Sequence, residues 1–350
     1  MRKTGIVKDD KYMDHRPGAG HPESHQRLEV IYNMLEDPEM KGQFQEVPVR
    51  RAAADDLTLV HSPGYVSQVE STSGKDFSRL DMDTTTSSGS YEAALLAAGG
   101  LCQAISMVVS GELDNAFALV RPPGHHAEMD RGMGFCLFNN VAVGARYAQE
   151  SLNLERILIV DWDLHHGNGT QHSFEEDPSI LYFSSHQYPY YPGTGANNEV
   201  GIGRGEGFTV NVPLSMGYGD GEYAGIFEKI VTPVALEFDP DLILVSAGFD
   251  IHGNDPLGGM RVTSKGFAGL TASILNTARQ CCDGKVVFTL EGGYDLAGLR
   301  DSVKDVLKEM AGQSETSPED MASRADPGAL EQAVNPVVQV HSRYWKNLTA

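Results

Sequence analysis

The stretch that constrains this chain most is Ile157-Leu-Ile-Val-Asp-Trp-Asp-Leu-His-His-Gly-Asn-Gly169. Its first four residues are apolar and rich in β-branched side chains. That is the composition of a central strand in a parallel sheet, buried on both faces. Polar residues follow at once: Asp161, Asp163, His165, His166 and Asn168. Side chains two apart on a strand share a face, so a continued strand predicts Asp161, Asp163 and His165 on one side. Open α/β sheets carry their chemistry outside the carboxyl ends of their strands. Two carboxylates and an imidazole at such an end suit a divalent metal. A strand end dressed with ordinary helix-capping residues is the plainer alternative, and this stretch alone does not separate the two.

Similar apolar runs recur. Ala116–Val120 stops at Pro122-Pro123, Leu242–Ser246 runs into Ala-Gly-Phe-Asp250, and Val286–Leu290 runs into Glu-Gly-Gly-Tyr294. Shorter strand candidates are 4–8, 45–49, 180–184 and 208–212. Helices are expected over 23–35, 91–109, 139–150, 222–238, 267–281, 296–310 and 329–345. The polar stretch 71–88 reads as a surface loop at a substrate rim, and 187–207 and 312–327 as further loops. Gly201-Ile-Gly-Arg-Gly-Glu-Gly207 is no dinucleotide fingerprint, because a strand rather than a helix follows it. The alternation of strands and helices predicts an α/β fold, a single domain over 1–350 with a mainly parallel sheet flanked by helices on both faces.

The net charge of −21 disfavours nonspecific binding to DNA or RNA, which needs a basic footprint, and no nucleic-acid partner is expected. It favours cationic partners, with solubility alone as the bland alternative. The four cysteines form no C-x-x-C pair and no framework spacing, which suits a reducing compartment, and a cytoplasmic location is expected. No run is expected to span a membrane, and the first residues lack the apolar core of a signal peptide.

Four apolar runs therefore end in residues of catalytic type: His125-His126, Asp161 to Asn168, Asp250 and Tyr294. Parallel strands bring such ends to one edge of the sheet, so the groups can converge. Asp163, His165 and Asp250 then read as ligands of one catalytic ion with an open position, zinc by its ligand count, with Fe(II) or Mn(II) compatible with mixed N/O donors. His125 and His126 would face a reacting water. Asp161 and Asn168 are placed to hold the outer nitrogens of the imidazoles, and Tyr294 to donate to a developing oxyanion.

Arg121-Pro-Pro-Gly-His-His-Ala, Gly134-Phe-Cys-Leu-Phe-Asn-Asn140, Asp161-Trp-Asp-Leu-His-His-Gly-Asn-Gly-Thr170, Ser246-Ala-Gly-Phe-Asp250 and Glu291-Gly-Gly-Tyr294 together resemble the histone deacetylase family, closest to its class II and bacterial branch. The resemblance runs from His21 to Trp345. It implies the arginase/deacetylase fold and zinc-dependent removal of acetyl or other acyl groups from lysine side chains. By position it implies Asp163, His165 and Asp250 as zinc ligands, His126 as general base with His125 beside it, and Tyr294 as the carbonyl-polarising tyrosine. Asp161 matches the carboxylate behind the first histidine. Asn168 stands where other members carry Asp, which should leave His126 less basic. Phe135 and Tyr191 match the aromatics walling an acyl-lysine tunnel, where Phe is commoner than Tyr at the second position. Gly134 is placed to accept a substrate amide, and Arg27 lies behind the site. Backbone carbonyls around Asp161, Asp163 and His165, with Ser184, resemble a structural potassium site. The implied partner is an acylated lysine peptide or a small acylated amine; homo-oligomer formation stays open.

His15, His21, His25, His61, His172 and His341 are expected on loops or the surface, His166 as a packed histidine, Cys136 as a buried thiol, and Cys281-Cys282 as helix packing. An acylpolyamine hydrolase is a second reading, disfavoured by Leu257 where acetylpolyamine-selective members carry Glu. An arginase-like two-metal enzyme would need more bridging carboxylates. A silent acyl-lysine binding protein is the alternative of another class, and the intact ligands, histidines and Tyr294 argue against it.

Overall fold

The structure, a computed structural model, describes residues 2–314 and 316–348; Met1, Glu315, Thr349 and Ala350 of the expected domain lie outside it. Among the described residues ten strands form: β1 (Thr4–Val7), β2 (Gln45–Glu46), β3 (Ser78–Arg79), β4 (Thr85–Thr86), β5 (Asn115–Ala118), β6 (Ile157–Asp161), β7 (Ile180–Gln187), β8 (Thr209–Leu214), β9 (Leu242–Ala247) and β10 (Val286–Leu290). Eight of them make one sheet in the order β2-β1-β5-β10-β9-β6-β7-β8. Every pairing in it is parallel. The β5, β6, β9 and β10 runs are buried throughout, which is why they lack the apolar–polar alternation of a half-exposed strand.

This order decides where the chemistry sits. β5, β10, β9 and β6 are consecutive neighbours, so the four polar strand ends lie side by side at one edge. Register aligns them, with Asp161 opposite Ser246 and Leu290 opposite Ala247.

Helices cover the sheet. The Ser90–Val109 helix packs across β1, β5 and β10, and the Leu296–Met310 helix packs on Ser264–Cys281. By length and composition Ser90–Val109 could cross a membrane, contrary to the sequence expectation, but 78% of its apolar window is buried inside the protein. Its apolar surface serves the core.

Several expectations needed correction. The 222–238 helix widens to a π-turn over Phe227–Val231, because Pro233 has no N–H to offer the carbonyl four residues back. The expected loop at 312–327 contains a short helix, Pro318–Ala322, capped by Ser317. The last helix runs Pro327–His341, capped by Asp326; Asp followed by Pro is a start signal that the apolar periodicity concealed. The polar stretch 71–88 carries the β3–β4 hairpin, and a helix over Pro63–Glu70 was not foreseen.

Three of the histidines expected on loops or the surface are buried: His15 and His61 do lie in loops, but enclosed ones, and His341 lies on a helix. His15 bonds Ser90 Oγ at 2.7 Å, and His61 lies between the Glu128 carbonyl and the Asn139 N–H. His341 falls on the inner face of its helix with Val334, Val337 and Val338, a helical spacing readable in advance. His166 is packed as expected, held by Thr194 and Gln171.

Candidate active site

β6 stops at Asp161, so Asp163 and His165 do not share its face as a continued strand would require. They converge because the following turn folds on itself, with Asp163 Oδ1 accepting the His165 N–H at 2.9 Å. Asp163 Oδ2 accepts the Gly292 N–H at 2.8 Å from the end of β10. Asp250, beyond β9, accepts the Leu164 N–H at 2.9 Å. One potential ligand atom from each of Asp163, His165 and Asp250 falls within 4.8 Å of the other two. His165 Nδ1 is 3.1 Å from both Asp163 Oδ1 and Asp250 Oδ2.

Two glycines make this approach feasible. A Cβ on Gly248 would sit 2.1 Å from Asp163 Oδ2, and one on Gly292 would sit 2.3 Å from Asp250 Oδ2. Asp250 Oδ2 is buried, and apart from His165 Nδ1, which lies 3.1 Å away without hydrogen-bond alignment, it meets no donor among the described residues. Such a group is costly unless a cation completes it. Burial first, and then the Asp163 charge, push the Asp250 carboxyl up to about 7. Burial opposes ionisation of Asp163 too, but His125 and His165 outweigh it and hold that carboxyl well below its ordinary range. Two buried carboxylates and one imidazole nitrogen, with an acceptor left over, fit a divalent cation.

His125 and His126 follow β5 and lie beside these groups, their ring centroids 4.0 Å apart. His125 Nδ1 donates to Asp161 Oδ2 at 3.0 Å, and the Tyr182 hydroxyl donates to the same oxygen. His126 Nδ1 lies 2.7 Å from Asn168 Oδ1. The partners expected for both imidazoles are thus the ones in contact. Their environments push the two apart. Burial works against charge on His125, but Asp163 and Asp161 override it and hold the imidazole up at about 10. Burial lowers His126 well below the ordinary value, and positive His125 and His165 lower it further. One imidazole favours the charged form and the other the neutral form.

Tyr294 follows Gly293, whose φ of +117° lies in the region that favours glycine. Its ring lies 5.0 Å from the Arg27 guanidinium carbon and meets Phe135 edge-on at 6.0 Å. Arg27 in turn donates to the carbonyls of Gly293 and Glu291. The turn itself is held by Asp255 Oδ2, which accepts the Tyr294 and Asp295 N–H groups at 2.6 and 3.1 Å. Among the described residues the Tyr294 hydroxyl makes no hydrogen bond, so it closes no turn.

The remaining expected residues form the approach. Tyr191 meets His126 and His165 edge-on at 5.1 and 6.0 Å. Phe135, at φ +69°, packs against His21 at 4.6 Å. The Gly134 N–H donates to Asp83 on the β3–β4 hairpin, which brings the predicted rim to the site. The Leu257 carbonyl accepts from Tyr190, whose ring stacks on His165 at 5.7 Å.

Sequence reasoning missed Asp83, Asp255, Tyr190, Glu128 and Glu291. Glu291 Oε2 accepts the Gly124 and His125 N–H groups at 2.6 and 3.2 Å, and Ser246 donates to Oε1. It ties the histidine loop to β10 and β9. Its place directly after an apolar strand is the signal that picked out the other strand ends. Asp83 and Glu128 offer no such signal; their roles arise from contacts distant in sequence.

The histone deacetylase domain profile matches residues 21–310. The chain belongs to the histone deacetylase family. It is 38% identical over 359 residues to a probable deacetylase of Archaeoglobus fulgidus, covering 98% of this chain and 99% of that one. It is 41% identical over 350 residues to human histone deacetylase 9, covering 88% of this chain but only 34% of that protein. A crystal structure of the HDA15 HD domain superposes with a TM-score of 0.92 at 38% identity, covering 99% of this chain and 96% of that one. The α/β sheet described above is therefore that of a histone deacetylase domain, and family membership supports deacetylase activity.

Proposed function

We propose that the chain is a zinc-dependent amidohydrolase that removes acetyl groups from lysine side chains. The observation that carries this is the convergence of Asp163, His165 and Asp250, with Asp250 Oδ2 lacking an aligned donor among the described residues, beside two histidines with opposite charge preference. Asp163, His165 and Asp250 would hold the ion. Zinc bound there would act as a Lewis acid on the amide carbonyl and make water more acidic.

The protein's own groups divide the proton work. His126, kept neutral by burial and its cationic neighbours, has Nδ1 committed to Asn168 and so offers Nε2 to take a proton from the attacking water. His125, held charged by Asp161 and Asp163 against the cost of burial, is suited to stabilising anionic charge and to returning a proton to the departing amine. Groups whose environments push their pKa values apart are the usual basis for acid and base assignments. Tyr294, whose hydroxyl has no partner among the described residues, would donate to the carbonyl oxygen as charge builds there. Phe135 and Tyr191 flank the lysine methylenes, and Gly134 meets the substrate amide.

A kinetic panel on zinc-loaded protein tests this reading. Acetyl-lysine peptides should give the highest kcat/KM, above longer acyl-lysines and acetylated polyamines. A polyamine preference would move the substrate assignment. No turnover of any acylated amine, with zinc bound, would favour a binding protein.

A further inference from the structure

The amide of Asn168 could face His126 in either of two ways. With its carbonyl toward the ring, His126 Nδ1 must carry the proton and Nε2 keeps the lone pair. With its NH₂ toward the ring, the tautomer reverses and Nε2 is no longer a base. The two orientations have almost the same shape, so only the neighbours of the amide can choose between them.

Glu128 supplies that choice. Its Oε1 lies 2.5 Å from Asn168 Nδ2. A carboxylate only accepts, so the reversed amide would press its carbonyl oxygen against a second acceptor. The other neighbours of Nδ2, the His126 carbonyl at 3.4 Å and Met133 Sδ at 3.5 Å, are also acceptors but more distant. Glu128 is itself fixed. Its N–H donates to the Arg131 carbonyl, its carbonyl accepts from His61 Nδ1, and its carboxylate pairs with His172 Nδ1 at 2.9 Å. Burial resists its ionisation, but the His172 hydrogen bond and charge, with Asn168, keep its carboxyl below the ordinary range. It therefore remains an acceptor at neutral pH.

We propose that Glu128 is a positioning residue for the base: it locks the Asn168 amide with its carbonyl toward His126, which places the proton on Nδ1 and leaves Nε2 free for the reacting water. This rests on the reading of His126 as general base. It also explains how a neutral Asn serves where a carboxylate would need no orienting, since the carboxylate stands one amide further out.

Two measurements on the zinc-loaded protein test it. The first is kcat for wild type, Glu128→Ala, Asn168→Asp and the double variant. Glu128→Ala should lower kcat by roughly 10–100-fold, by analogy with the loss of outer hydrogen-bond partners of metal-ligating histidines, with KM nearly unchanged. In the Asn168→Asp background the same change should cost nothing, because a carboxylate presents an acceptor in either orientation. An equal cost in both backgrounds would mean that Glu128 only supports the loop, and an unchanged kcat in Glu128→Ala would also overturn the proposal. The second is the ¹⁵N spectrum of the imidazoles, with His126 assigned by its loss in His126→Gln. The wild type should show the Nδ1–H tautomer and Glu128→Ala a mixture. An Nε2–H tautomer in wild type, or no change in Glu128→Ala, overturns the proposal even if a variant is inactive. If the wild type turns over no acylated amine, the base assignment has failed, while the tautomer spectrum still decides the role of Glu128.

Discussion

Removing one oxygen atom, in Tyr294→Phe, separates catalysis from architecture at this site. The ring keeps its contacts with Phe135 and the Arg27 guanidinium. The turn keeps its hold, because Asp255 accepts the backbone N–H groups of Tyr294 and Asp295 and not the phenol. The hydroxyl has no partner to lose among the described residues, so stability should stay within about 0.5 kcal/mol. Turnover should not. An oxyanion donor is worth on the order of 10²–10³ in kcat, or roughly 3–4 kcal/mol. That stabilisation grows only as charge builds on the carbonyl oxygen, so kcat should fall far more than KM rises. Michaelis kinetics on an acetyl-lysine peptide and a thermal melt, made on one zinc-loaded preparation, read both quantities. A kcat within about threefold of wild type would remove the hydroxyl from catalysis, and a large fall in Tm would give it a structural role.

Other consequences can be checked separately. The net charge of −21 should make kcat/KM higher for cationic than for neutral acetyl-lysine peptides, with the advantage shrinking as salt rises; no differential salt effect would leave the acidity as a solubility feature. Gly292→Ala would place a Cβ 2.3 Å from Asp250 Oδ2, so metal content should fall sharply; full metal retention would count against the assigned ligand geometry. Burial, and then the charge of Arg343, lower fully buried His341 to about 4. Between its ordinary pKa of about 6.5 and about 4 the unfolded chain binds a proton that the folded chain does not, so stability falls as pH drops through that window, by on the order of 3 kcal/mol in full. In denaturation curves at pH 7 and pH 5, His341→Leu should lose less stability on acidification than wild type does; an identical loss would show that His341 does not contribute.

Much of this was legible because the sheet's neighbours were the strands that looked alike. Ile157–Val160, Leu242–Ser246 and Val286–Leu290 announced themselves as buried strands, and their polar ends could be collected before any contact was known. Chain order alone could not show that β5, β10, β9 and β6 are consecutive, although right-handed crossovers allow it. The two-residue rule named Asp163 and His165 for an incomplete reason: the strand ends at Asp161, and the turn beyond it does the aligning. Phe135, Tyr191, Gly134 and Leu257 came only through family resemblance, since an aromatic or a glycine in a loop carries no spacing signal. Glu128, Asp83 and Asp255 were not legible at all. Each acts through one or two hydrogen bonds to residues 40, 51 and 39 positions away, and such pairings leave no local pattern. His341 shows the reverse error, in which a polar residue on the inner face of a helix was read as a loop or surface position; His15 and His61 do sit in loops, but buried ones.

On the proposed mechanism, one zinc ion held by Asp163, His165 and Asp250 makes this chain a deacetylase. The most direct measurement strips the protein of metal and then titrates zinc back while following hydrolysis of an acetyl-lysine peptide. Turnover should be negligible without metal and rise linearly until one equivalent of zinc per chain is bound. Full turnover by the metal-free protein, or activity that keeps rising to two equivalents, would rule out a single catalytic zinc.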